Sequence, residues 1–144
     1  MPTEPHLLDV NLLIALAWPQ HVHHERAHAW FATRTAAWMT TPVTEAAFVR
    51  LSTNPSVVTH RVSMHDALAM LAAIRGVAGH AFLPDSSTLA APAISLLTVT
   101  SSRQVTDAHL VNLAAASAAR LATLDRGIEQ MLAPHDRKHV LVVP

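Results

Sequence analysis

HLLDVNLLIALAWP, residues 6–19, decides how the rest of the chain is read. Leu7 to Val10 is too short for a helix and is expected as a buried strand. Asn11 to Trp18 is apolar enough for a first helix, and Pro19 ends it. One carboxylate, Asp9, stands where the strand gives way to the helix.

The same grammar continues outward. His23 to Thr35 is expected as an amphipathic helix with Ala27, Trp30 and Phe31 on its apolar face. Ala37 to Thr40 is expected as a strand. Thr41-Pro42 then opens a helix through Leu51, with Thr41 as N-cap and Pro42 as its first residue. Ser63 to Val77 is expected as a helix bracketed by Gly76 and Gly79, and His80 to Leu83 as a strand. Ser87 to Leu97 is expected as a helix despite Pro92. Thr106 to Ala119 is expected as a helix with Thr106 as N-cap. Arg120 to Leu124 is expected as a strand, Gly127 to Leu132 as a short helix and His139 to Val143 as a last strand. Short apolar strands alternating with helices imply an α/β fold with a parallel sheet covered on both faces.

Half of the 144 residues are apolar and 14% are charged, which suits one globular domain over residues 1–144. The absence of cysteine excludes disulfides, thiolate metal sites and a cysteine nucleophile. The first residues lack a basic region, and Asp9 and Asn11 interrupt the long apolar stretch. No signal peptide or membrane span is therefore expected, and a cytoplasmic protein is. A net charge of zero leaves no overall electrostatic footprint for nucleic acid.

The chain has only ten acidic residues, so their placement carries weight. Asp9, Glu45, Asp107 and Asp125 each stand beside a short apolar run, where strands end or helices begin. Ligands of parallel sheets lie beyond the carboxyl ends of the strands. Four acids on that side suggest one acidic cluster, which repels itself unless it holds a divalent cation such as Mg²⁺ or Mn²⁺. Asp9, Asp107 and Asp125 have a plainer reading as helix caps. Glu45 falls one turn inside its helix, one position past the capping-box site, and its plain reading is a contact with the positive helix end. Metal-dependent phosphodiester hydrolysis is the chemistry such a cluster suits.

DVNLLIALAW, TEAAFVRL, TDAHLVNLA and LATLDRGI together resemble the signature segments of PIN-domain ribonucleases. The likeness is nearest to the VapC toxins of toxin–antitoxin pairs, in a mycobacterial-type subgroup, and covers essentially the whole chain. It implies a three-layer α/β/α PIN fold with a short central parallel sheet. It also implies Mg²⁺- or Mn²⁺-dependent endonucleolytic RNA cleavage that inhibits translation and growth. By position, Asp9 and Asp107 match the usual metal ligands, and Glu45 and Asp125 the other two acids. Asn11 matches a polar residue that follows the first acid, and Thr123 a position that is often hydroxylic. The segment TEAAF departs slightly from the pattern, with Ala46-Ala47 where a bulkier polar residue or glycine is usual. A VapB-type antitoxin that blocks the site and a homodimer are implied as well.

Other features have two readings each. His24 and His28 are spaced for a shared helix face within the group His21, His23, His24 and His28, as zinc ligands or as a solvated polar face. His109 is read as a phosphate contact or an ordinary half-buried residue. Trp18, Trp30, Trp38, Phe31 and Phe48 are expected in the core or an interface, since they lie on apolar faces. Arg50, Arg103 and Arg126 are the first candidates for phosphate contacts, against plain surface charge. Two rival functions stand beside the nuclease. An aspartyl phosphatase would want an acid where Asn11 stands and a downstream lysine, and Lys138 is the only lysine. A catalytically silent PIN-like module that binds RNA or a partner would not need its full set of acids.

Overall fold

The computed structural model describes residues 4–144. Five short strands form one parallel sheet: β1 (His6–Leu8), β2 (Trp38–Thr40), β3 (His80–Phe82), β4 (Arg120–Thr123) and β5 (Val140–Val142). Their order is β3-β2-β1-β4-β5. The chain steps outward from β1 to β2 and β3, then returns to the other side of β1 for β4 and β5. The order therefore reverses between β1 and β4, which is where ligands of such sheets bind.

The helices are α1 (Val10–Ala17), α2 (His24–Phe31), α3 (Pro42–Ser52), α4 (Met64–Arg75), α5 (Val105–Ala116) and α6 (Arg126–Met131). Strand alternation divides the core in two. Leu8, Trp38 and Ala122 pack with Leu12, Leu13, Phe48 and Ala67 beneath α1 to α4. Leu7, Met39, Leu121 and Val140 face the other way, against Val111, Leu113 and Ile128 of α5 and α6. The result is the three-layer α/β/α architecture expected, consistent with a PIN domain. Trp18, Trp38 and Phe48 are buried, and Trp30 and Phe31 pack partly buried against the first core. Among the described residues no helix is long and apolar enough to cross a membrane.

Two expectations fail locally. Residues 87–97 are not a helix. Pro92 removes a backbone donor, and side chains from elsewhere take its neighbours' polar groups. Asn112 Oδ1 accepts from Ala93 N–H at 2.7 Å, and Asp136 Oδ2 accepts from Ser95 N–H at 2.9 Å. Both of these residues are buried, so they pin the irregular segment to the second core. Thr106 is not the N-cap of α5. A 3-10 turn over Ser102–Gln104 precedes the helix, and Gln104 Oε1 accepts from the N–H groups of Thr100 and Ser101 at 3.0 and 3.2 Å. A second 3-10 helix, Pro134–His139, was also not expected.

The histidine group has a structural role that neither of its two readings anticipated. His24 Nδ1 lies 2.7 Å from Ala15 O, and His28 Nε2 lies 2.8 Å from Leu16 O. A carbonyl only accepts, so both ring nitrogens carry the proton. These carbonyls belong to the last turn of α1, which has no helical partners for them. The two imidazoles thus cap α1 and fasten α2 to it. Arg26 extends the fastening, donating to the carbonyls of Val143 and Pro144.

Candidate active site

Each acid is placed by a different local rule. Asp9 follows β1 directly, in extended backbone, and caps α1: its Oδ1 accepts from Val10 N–H at 2.8 Å. Its other oxygen, Oδ2, accepts from Thr123 Oγ1 at 2.8 Å. Asp125 follows β4 and caps α6, accepting from Gly127 N–H at 2.8 Å. The capping role is therefore real for both. It uses one oxygen of each carboxylate and leaves the residue at the sheet's switch point.

Thr123 binds this corner together. Its hydroxyl donates to Asp9, and its oxygen accepts from Asn11 Nδ2 at 3.2 Å and from Asp125 N–H at 3.1 Å. Asn11 Oδ1 in turn accepts from Leu124 N–H at 3.2 Å. Asp9 and Thr123 are buried, so the bond between them is made away from water, where its loss is expensive. The position that is often hydroxylic is thus the hub linking β1 to β4.

Asp107 is in the first turn of α5 and is half-buried. Among the described residues no hydrogen-bond donor reaches its carboxylate. Burial, and then the charges of Asp9 and Asp125, push its carboxyl up to about 6. Asp9 is also raised, by burial first and by Asp125 last, against the pull of its bonds from Thr123 and Val10. The three aspartates therefore share one negative field.

Glu45 answers to other partners. Its Oε2 accepts from Thr40 Oγ1 at 2.5 Å, and Oε1 lies 3.6 Å from Arg75 Nη1. Thr40 has one hydroxyl proton and gives it to Glu45, so His80 Nε2, 2.8 Å away, must donate to Thr40. Burial lowers the His80 imidazole, Arg75 lowers it further, and Glu45 draws it back up. Glu45 thus has partners of its own, while the like-charge effects link Asp9, Asp107 and Asp125. Strand parity sets these partners. Thr40 shares the sheet face of Trp38, under α3 and α4, whereas Asp9 continues the alternation of Leu7 toward α5. Thr40, Arg75 and His80 were not singled out from sequence. The signals available were a threonine ending a strand five residues before Glu45 and an arginine in the last turn of a helix.

Among the described residues no three carboxylate, imidazole or thiolate groups converge closely enough to ligate one ion directly. The donor set of the trio still suits a hard cation that keeps most of its waters and takes one or two carboxylates. Asp107 in particular is a carboxylate raised by burial and then by like charges, and among the described residues it has no donor.

The remaining candidates are placed plainly. His109 is half-buried, with Nε2 2.7 Å from Asp85 Oδ1. Arg50, Arg103 and Arg126 are exposed.

No family model matches the sequence. Curated relatives do. Ribonuclease VapC38 of Mycobacterium tuberculosis (strain ATCC 25618 / H37Rv) is 49% identical over 123 residues, 85% of this chain and 86% of its own. Ribonuclease VapC39 of the same strain is 47% identical over 124 residues, 85% of this chain and 89% of its own. Ribonuclease VapC44, again of that strain, is 35% identical over 137 residues, 94% of this chain and 96% of its own.

Proposed function

The chain belongs to the VapC family of ribonucleases, and from that premise we propose that it is a metal-dependent endoribonuclease, the toxin of a toxin–antitoxin pair. The observation that carries the chemistry is the aspartate trio at the switch point, with Asp107 raised to about 6 by burial and like charge. Asp9 and Asp107 would hold Mg²⁺ or Mn²⁺, with Asp125 and Glu45 as a second, outer set. When bound, such an ion acidifies a water and neutralises charge developing on a phosphate oxygen.

The chain's own groups do the rest. Thr123 holds Asp9 Oδ2, so the carboxylate keeps one orientation. Asn11 and the Asp125 N–H fix Thr123 in turn. Thr40 and Arg75 hold the Glu45 carboxylate in one orientation. In-line attack by water on an RNA phosphodiester leaves a 5′-phosphate and a 3′-hydroxyl. In the cell a VapB-type antitoxin occupies the site, the toxin works as a homodimer in the cytoplasm, and its release inhibits translation and growth.

The test is cleavage of total cellular RNA by purified protein, with and without Mg²⁺ or Mn²⁺, beside Asp9→Ala and Asp107→Asn. Manganese binding is read in parallel by electron paramagnetic resonance. Discrete metal-dependent fragments lost in both variants, with weakened Mn²⁺ binding, are expected. Folded, antitoxin-free protein that neither cleaves nor binds Mn²⁺ would instead be a silent binding module.

A further inference from the structure

Phe82 is the one exposed ring among the chain's phenylalanines and tryptophans. Its neighbour is Arg75, which in turn reaches Glu45. It ends β3, the edge strand of the sheet, in register with Thr40 on β2. Registered residues on paired strands point to the same face, so Phe82 stands beside the hydroxyl that holds Glu45. The Arg75 guanidinium lies 5.0 Å from the centre of the Phe82 ring and 3.6 Å from the Glu45 carboxylate. Three elements thus bring an exposed aromatic ring, a cation lying over one of its faces and a carboxylate into one row on the strand-end side of the sheet, which leaves the other ring face for a base. Nothing in the core requires the ring there: Phe82 belongs to neither hydrophobic cluster.

We infer that Phe82 and Arg75 form a nucleobase subsite, in which one base of a single-stranded RNA stacks on Phe82 while Arg75 meets its phosphate. This rests on the ribonuclease reading above. Aromatic rings and guanidinium planes are the usual platforms for splayed-out bases, because every base offers a π-face. With a net charge of zero, a local device of this kind adds to whatever phosphate attraction the strand receives. Arg75 is already oriented by Glu45, so the platform is built before the RNA arrives. The subsite positions substrate beside Glu45; it takes no part in bond breaking.

The test uses the full chain carrying Asp107→Asn, so that RNA is bound without being cut. The probe is a pool of ten-residue single-stranded RNAs of random sequence, followed by filter binding. Phe82→Ala and Phe82→Leu are each expected to weaken binding about tenfold, and Phe82→Trp to restore it. Leucine keeps apolar bulk at an exposed edge, so it separates stacking from folding. In the cleaving enzyme, Phe82→Leu is expected to raise KM with kcat nearly unchanged. Binding by Phe82→Leu equal to that of its parent would overturn the subsite and leave the ring to a protein partner. An Asp107→Asn parent that holds no member of the pool would overturn it too. Neither result touches the nuclease reading, which stands or falls on total-RNA cleavage by the unsubstituted chain.

Discussion

Asp107 and Glu45 are the same kind of residue in the same kind of place, and the fold treats them oppositely. Each is a carboxylate in the first turn of a helix that covers the sheet. Glu45 has a hydroxyl donor and a guanidinium within reach. Asp107 has neither among the described residues and faces two further aspartates. The chain therefore neutralises one acid itself and leaves the other to be neutralised from outside. A group kept in a self-repelling field costs stability, and such costs are retained where chemistry uses them.

Asp107→Asn tests the comparison most severely. Cleavage is expected to fall at least about a hundredfold, by loss of a metal-holding carboxylate. Metal-free stability is expected to move the other way. The folded state holds the Asp107 proton more tightly than the unfolded chain, whose ordinary value is 3.8. The stability tied to this group is complete below that value and is lost as pH rises through about 6. At pH 7 the substitution should therefore stabilise the metal-free protein by about 1 kcal/mol, after discounting for solvent at a half-buried site. Thermal melts at pH 4 and pH 7 check it: the gain should appear at the higher pH and vanish at the lower. Glu45→Gln, which gives up the Arg75 ion pair and the Thr40 hydrogen bond to a carboxylate, should not stabilise the metal-free protein at pH 7.

Thr123→Val sharpens the same contrast from the supporting side. It strips Asp9 Oδ2 of its donor and leaves Asn11 Nδ2 and Asp125 N–H without their acceptor. A loss of about 2 kcal/mol and a cleavage defect of about tenfold or more are expected, by urea unfolding and RNA cleavage. Stability equal to wild type would show that the hub does not hold the corner.

The histidine fastening offers a control remote from the acids. His24→Ala should leave a last-turn carbonyl of α1 unpartnered and cost about 1 kcal/mol, with RNA cleavage unchanged. A changed cleavage rate with unchanged stability would give the histidines a part in the site. The smallest effect is expected at Ala118, which follows α5 with φ +53°, in the left-handed region that favours glycine. Ala118→Gly should stabilise the protein by about 0.5 kcal/mol without altering either carboxylate environment.

Much of this molecule was legible along the chain. Short apolar runs of strand length, broken by capped helices, determined the parallel sheet and its two covering layers. The acids at strand ends and helix starts were legible for the same reason: capping chemistry and the strand-to-helix step put Asp9 and Asp125 there. The segment 87–97 misled because its apolar residues suit a helix locally, while Asn112 and Asp136 compete for its backbone from far along the sequence. Which partners each acid meets was also beyond the sequence. Position along the chain says that Asp9, Glu45, Asp107 and Asp125 lie on one side of the sheet. Only the packed structure gives Glu45 its partners, because the alternation of strand β2 turns Thr40 toward α3 and α4, and the end of α4 brings Arg75 across to meet it. Local periodicity is written residue by residue, but the field at a carboxylate depends on charges that only folding brings near.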